Sequence, residues 1–469
     1  MNTRLAVIGA GPGGYVAAFH AADLGMQVTL IDADPNPGGV CTFRGCIPSK
    51  ALLHAARLLD DARHATAFGL SFERLAIDVD KLRAWKDEVV KKQTGGLGLL
   101  AKSRKVTYIQ GRASFVNAKT LSVDTASGEQ KVEADYVIVA TGSRPTAVPN
   151  VSIDSPKVLD STTALELPDV PSRLLVVGGG YIGLELGTVY GALGSKVTIV
   201  EMTDGLLPGA DRDLAALVAR RMEMYAEAIL LETKVTSVKD DKKGLAVSFD
   251  GKHAPSGAQF FDRVLVAVGR RPNSAIAGLD ATKVRVNQRG FIEVDGQRRT
   301  AEPTIFAIGD VAGDPMLAHK ASHEARVAVE AIHGKSSIFE PRAIPAVVFT
   351  DPELAWTGLT ETDARRQNIP IEIAKYPWTA SGRARTLDRP DGLTKLIVDP
   401  ETERILGIGI VGVGAGELIS EGTLAIEMGA LASDLKLTIH PHPTLSETVM
   451  EAADVFFGES AHVHKPKRT

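Results

Sequence analysis

Leu5-Ala6-Val7-Ile8-Gly9-Ala10-Gly11-Pro12-Gly13-Gly14 lies at the start of the chain, and its reading decides the fold. Four apolar residues make a short buried-strand pattern, and the glycines follow at the spacing of a strand-to-helix turn. Gly9 allows the tight turn, Gly11 lets a pyrophosphate approach the backbone, and Gly14 lets helix and strand pack closely. An Ala-rich helix is predicted to about Leu24, then a second strand over 28–31 that ends at Asp32. The helix N-terminus offers free N–H groups and the positive end of its dipole to phosphate. Asp32 is placed to hold ribose hydroxyls.

The design recurs downstream. A strand over 174–177 leads into Gly178-Gly179-Gly180-Tyr181-Ile182-Gly183, a helix to about Leu193, and a strand over 197–200 that ends at Glu201. From Gly9 to Asp32 is 23 residues, and from Gly178 to Glu201 is also 23. One glycine motif is a weak signal, but two with an acidic residue at the same offset are a strong one. The units also end alike. A strand over 136–140 runs into Thr141-Gly142-Ser143-Arg144-Pro145, and one over 264–268 into Gly269-Arg270-Arg271-Pro272-Asn273. Two dinucleotide sites imply electron transfer between a flavin and a nicotinamide. Glu201 would repel a 2′-phosphate, and Met202-Thr203-Asp204-Gly205 holds no Arg or Lys to grip one, which favours NAD over NADP.

Composition bounds what else the chain can be. At 469 residues it exceeds what one core serves, so two to four domains are expected. A net charge of −4 gives no footprint for nucleic acid or an anionic membrane. The basic ending Lys465-Pro466-Lys467-Arg468 reads as a solvated tail. No apolar run is long enough to cross a bilayer, and no signal or transit segment precedes the first strand. A cytoplasmic protein is expected.

Only two cysteines occur, Cys41 and Cys46, within Cys41-Thr42-Phe43-Arg44-Gly45-Cys46-Ile47-Pro48-Ser49-Lys50. That is too few for a secreted disulfide scaffold, and with no His cluster beside them they make a poor metal site. No metal is expected. A lone close pair reads best as redox chemistry. In a straight helix residues five apart differ by about 7.5 Å in rise, more than the roughly 7 Å Cα separation a disulfide tolerates. A bridged pair would need the backbone to bend, with Gly38, Gly39 and Gly45 placed to help. Helix N–H groups, Arg44 and Lys50 would lower a thiolate pKa.

Taken together, these motifs resemble the FAD-containing pyridine nucleotide–disulfide oxidoreductases. The resemblance rests on Gly38-Gly39-Val40-Cys41 through Lys50, on residues 178–187, on Gly309-Asp310, on Leu317-Ala318-His319-Lys320-Ala321, and on His440-Pro441-His442-Pro443-Thr444 with Glu447. It is closest to the members that oxidise protein-bound dihydrolipoamide with NAD⁺, and residues 377–395 resemble bacterial ones. It implies an α/β chain with two Rossmann-like domains, for FAD and NAD, and an α+β C-terminal dimerisation domain. The boundaries expected are 1–147 for FAD, 148–275 for NAD, 276–344 for a central domain completing the FAD site, and 345–469 for the interface.

Site roles follow residue by residue. Cys41 would be the thiol that meets substrate and Cys46 the thiol beside the flavin. Lys50 would stand near flavin N5 with Glu185 as its ion-pair partner, and Asp310 would bind the ribityl chain. Gly9, Gly11, Gly14, Asp32, Lys50, Thr141, Gly142, Asp310 and Ala318 would hold FAD. Gly178, Gly180, Gly183, Glu201 and Gly269 would hold NAD. The loop between the cysteines departs from the family's common Leu-Asn-Val-Gly, and Thr42-Phe43-Arg44 could alter redox potential or substrate access.

Dithiol–disulfide exchange needs a base, and histidine suits it near neutral pH. His442 with Glu447 is the candidate, the carboxylate orienting the ring. His440 reads as structural. The resemblance implies a cis bond at His442-Pro443 and a homodimer in which the C-terminal domain of one copy covers the cysteines of the other. It also implies a lipoyl domain and the acyltransferase core of a 2-oxoacid dehydrogenase complex as partners. The alternatives are a glutathione- or mercuric-reductase-like enzyme and a catalytically silent docking subunit. A soluble transhydrogenase would not need the cysteine pair.

Overall fold

The computed structural model describes residues 3–72 and 75–464, so the expectation for the basic ending at 465–468 lies outside the described residues. A parallel five-stranded sheet is built on Arg4–Ile8, flanked by Gln27–Asp32 and Thr107–Gln110 on one side and by Tyr136–Val139 and Ile305–Ala307 on the other. Ile8 lies in register with both Ile31 and Val139, so the three strands end level at the first glycine turn. Alternate residues face opposite sides. Leu5, Val7, Leu30, Ile138 and Phe306 pack under the helices Pro12–Asp23 and Ala318–Ile332. Ala6, Ile8, Ile31, Val137 and Val139 pack on Phe115, Leu121 and Val123 of an antiparallel meander over residues 112–133.

The second unit repeats this layering. Arg173–Val177 is central to a parallel sheet with Lys196–Val200, Ala226–Leu230, Arg263–Val266 and Val158–Leu159. Leu174, Val176, Val197 and Ile199 share a core with the helix Tyr181–Leu193. Leu175, Val177, Val264 and Val266 meet a second antiparallel meander through Val238, Leu245 and Val247. The central strands of both sheets, at 5–8 and 174–177, are continuous apolar runs, as two covered faces require.

The C-terminal part is a five-stranded antiparallel sheet, in spatial order Ala346–Val348, Glu353–Gly358, Ile405–Gly412, Leu393–Val398, Glu372–Pro377. The helices Ala415–Met428 and Glu447–Phe457 share its core. It is joined to the second unit by charge. Lys395, fully buried, places its Nζ 2.6 Å from Asp211, 2.8 Å from Asp213 and 2.8 Å from Glu361. That acidic trio is the one group among the described residues with metal-ligand spacing, and an ammonium already sits within it. Among the described residues no helix is long and apolar enough to cross a membrane.

Candidate active site

The two glycine turns have the same internal geometry. Gly9 and Gly178 have φ of +96° and +111°, which a glycine adopts without strain. A Cβ on Gly14 would lie 1.8 Å from the Gly9 carbonyl oxygen, and one on Gly183 2.1 Å from that of Gly178. Only a bare Cα lets helix and strand close to this distance. Gly11 and Gly180 are the opposite, with nothing within 4 Å of the place a Cβ would take. They front open space, as a phosphate-cradling position must.

The acidic residues brace the turns. Asp32 accepts the Ala10 N–H at 2.6 Å and the Asp34 N–H at 2.9 Å, while burial pushes its carboxyl above the usual range against those bonds. Glu201 accepts the Gly179 N–H at 2.7 Å and the Thr203 N–H at 2.8 Å. Arg212 approaches this second loop, but its guanidinium donates to the carbonyls of Leu206, Leu207 and Ala210. No cation among 202–205 faces a 2′-position.

A cavity of about 810 Å³ runs from the first turn to the cysteines. Gly9, Gly11 and Asp32 line it, as do Cys41, Cys46, Lys50, Thr141, Gly142, Asp310 and Ala318. Gly14 lies beneath it, packed on Gly9. Gly142, with φ +67°, is bare on its cavity side like Gly11. A long, apolar-walled cleft with a phosphate turn at one end and a thiol pair at the other fits FAD. The second unit reaches the cavity through Tyr181, Ile182, Glu185 and Arg270, while Gly178, Gly180, Gly183, Glu201 and Gly269 sit around their own turn.

The cysteines sit on a broken helix. Gly39–Arg44 is one helical segment and Cys46–His64 the next, with Gly45 between them. A Cβ on Gly45 would meet the Val40 carbonyl oxygen at 2.8 Å, so the bend requires glycine there. The two sulfurs are not bridged. Cys41 donates to Cys46, which pushes its own ionisation well up and draws Cys46 down to about 7. Burial and Glu185 oppose that ionisation of Cys46, and Lys50 assists it. Lys50 Nζ lies 2.7 Å from Glu185 Oε2, and the Glu185 side chain is only 4% exposed.

The departing loop is anchored within the chain. Thr42 is buried and packs with Phe43 on Gly38, and Arg44 makes a two-pronged pair with Asp34 at 3.0 and 2.7 Å. Its cation therefore stands beside Asp34 and Asp32, on the lining of the same cavity as both thiols.

Sequence reading missed several lining residues. Ser143 donates to Asp310 at 2.6 Å and itself accepts from Arg270 Nε at 2.7 Å. The signal was present in the two similar return turns, which pair with each other as antiparallel strands, Arg270 with Pro145 and Pro272 with Ser143. Thr141 donates to the Asn273 carbonyl across the same seam at 2.8 Å.

His442 lies outside the cavity, with its side chain 78% exposed. Its Nδ1 is 2.8 Å from Glu447 Oε1, and the other carboxylate oxygen accepts the Thr444 N–H at 2.7 Å. Burial raises the Glu447 pKa, but these two donors outweigh it and hold the carboxyl below its ordinary range. Nδ1 carries the proton toward the carboxylate, leaving Nε2 free to take another. The bond before Pro443 is cis. His440 is 5% exposed, held between Glu421 at 2.7 Å and the Thr438 carbonyl at 2.9 Å.

Residues 3–325 match the family described as pyridine nucleotide-disulphide oxidoreductase, and residues 344–453 match its dimerisation domain. The chain belongs to the pyridine nucleotide-disulphide oxidoreductase family. A relative from Vibrio cholerae named dihydrolipoyl dehydrogenase is 49% identical, covering 98% of this chain and 96% of the relative. One of the same name from Geobacillus stearothermophilus is 45% identical over 99% and 98%. Among solved structures, LpdA from Mycobacterium tuberculosis superposes with a TM-score of 0.89 at 28% identity, covering 96% of this chain and 99% of LpdA. The HOCl-induced flavoprotein disulfide reductase RclA from Escherichia coli gives 0.85 at 28%, over 97% and 99%. The fold is that of an oxidoreductase whose two nucleotide units and C-terminal dimerisation domain belong to this family.

Proposed function

We propose that the chain is a dihydrolipoyl dehydrogenase, oxidising protein-bound dihydrolipoamide with NAD⁺: dihydrolipoamide + NAD⁺ → lipoamide + NADH + H⁺. One observation carries the reading. Cys41, Cys46 and the Lys50–Glu185 pair converge in the cavity that also holds the first phosphate turn. Relatives of that name at 43–49% identity over nearly the full length support the substrate.

The cofactors are FAD and NAD. Gly9, Gly11, Asp32, Thr141, Gly142, Asp310 and Ala318 would hold FAD, which supplies two-electron chemistry between a thiolate and a nicotinamide. The chain's own residues manage thiols and protons. With Cys41 and Cys46 oxidised to a disulfide, His442 Nε2 takes the proton from one dihydrolipoyl thiol. That thiolate attacks Cys41, and Cys46 leaves as a thiolate favoured by Lys50. The second substrate thiol then closes the lipoyl disulfide, its proton passing to Cys41 as that sulfur is released as a thiol. Glu447 holds the ring and stabilises the imidazolium.

His442 would act on the cysteines of a second copy in a homodimer, consistent with its exposure and with the dimerisation domain at 344–453. The lipoyl group would arrive on the acyltransferase core of a 2-oxoacid dehydrogenase complex in the cytoplasm. The domain division proposed is 1–147, 148–275, 276–344 and 345–469. Purified protein should be yellow and turn over NADH with lipoamide far faster than NADPH with glutathione. Equal or reversed preference would overturn the assignment.

A further inference from the structure

Lys50 is held from a direction its own motif does not announce. The Phe349 ring centre lies 4.4 Å from Lys50 Nζ, close enough for a cation–π attraction. The same residue's backbone N–H donates to Glu185 Oε1 at 3.0 Å. Both oxygens of a buried carboxylate are thereby used, one by Lys50 and the other by Phe349. Phe349 directly follows the strand Ala346–Val348, so it reaches Lys50 and Glu185 from the dimerisation domain.

We propose that Phe349 is a positioning residue, whose ring and backbone N–H fix the Lys50–Glu185 pair against Cys46 and so set how readily Cys46 ionises. The proposal draws its consequence from the relay read above; its contacts stand independently of the substrate. The groups facing Cys46 are Cys41 from the preceding helical segment and Lys50 on its own helix. Glu185 and Tyr181 face it from the second nucleotide helix, and Tyr15 from the first. Lys50 is the cation among them and Glu185 the anion opposing it. Without the ring, the ammonium loses one of its attractions and spends more time in solvent, while Glu185 stays pinned by a backbone bond. The balance then moves against the thiolate. A packing role alone would survive exchange of Phe for another apolar residue of similar size, and this role would not.

The test uses the FAD-loaded protein with Cys41→Ser, which leaves Cys46 as the chain's sole thiol and keeps a hydroxyl beside it. The long-wavelength absorbance of a thiolate against flavin is followed as a function of pH, with and without Phe349→Leu. The midpoint should rise by roughly half a unit to one unit, the size a lost cation–π contact implies. Phe349→Tyr should restore it. Coincident midpoints in Phe349→Leu and its parent, or a Tyr variant shifted as far as the Leu one, would overturn the proposal. Phe349→Met serves the same comparison should the Leu variant not retain FAD. Neither lipoamide nor NAD enters this titration, so its failure and a wrong substrate are separate results.

Discussion

The two halves of the proposed redox site stand in opposite surroundings. The thiol half is finished by folding: Cys41, Cys46, Lys50, Glu185 and Phe349 find their partners within one chain. The acid–base half is finished on one side only. His442 has Glu447 behind it, but its ring is 78% exposed and the cysteine-lined cavity does not include it. Two residues earlier, His440 has the same kind of partner at nearly the same distance and is 5% exposed. Pairing with a carboxylate therefore does not single out the base. Exposure is what favours His442 in the proposed role, because a ring that must meet an incoming thiol cannot be enclosed by its own domain.

The largest expected effect that could break this comparison is in His442→Gln. Oxidation of dihydrolipoamide should fall by about 10²–10⁴-fold, the usual worth of a positioned base. NADH reduction of a dye that takes electrons at the flavin should persist. Loss of both in a folded, FAD-loaded protein would place His442 in the structure and not in the chemistry. A smaller effect is expected in the thiol half. Lys50→Met removes a cation that favours the thiolate, so Cys46 should need a higher pH to ionise. Turnover should then drop most below neutrality and recover as pH rises, seen in a kcat–pH profile. An unchanged profile would mean that Lys50 does not act on Cys46. The smallest catalytic effect is predicted for His440→Leu, which leaves Glu421 without its buried partner. That should cost about 1–3 kcal/mol in thermal unfolding, with turnover per folded site near wild type. A loss of turnover as large as in His442→Gln would erase the distinction between the two histidines.

What was legible in the sequence follows from what each feature needs. The nucleotide units were legible because a strand, a bare turn and a helix are local, and glycine at Gly9, Gly14, Gly178 and Gly183 is required by backbone that only glycine tolerates. Cys41, Cys46, Lys50, His442 and Glu447 were legible as motif members, and the structure brings Lys50 to Glu185 across 135 residues. The return turns were each visible, yet their antiparallel pairing was not, since spacing within a motif carries nothing about which distant motif it meets. Phe349 was hidden for the same reason. The partner of Arg44 was hidden as well. Read linearly Arg44 is a cation beside two thiols, but the bend at Gly45 aims it at Asp34.

The central claim is that one copy's thiols and a second copy's His442 make one working site, and mixed dimers test it most directly. Copies carrying Cys41→Ser are combined with copies carrying His442→Gln, each tagged so that the heterodimer can be isolated. If the base acts across the interface, one of the heterodimer's two sites is intact in both thiols and base. Dihydrolipoamide oxidation by NAD⁺ should then return to about half the wild-type rate per dimer, as closed two-fold symmetry requires, although each parent homodimer is nearly inactive. A heterodimer no more active than its parents would contradict the account and place base and thiols in the same chain.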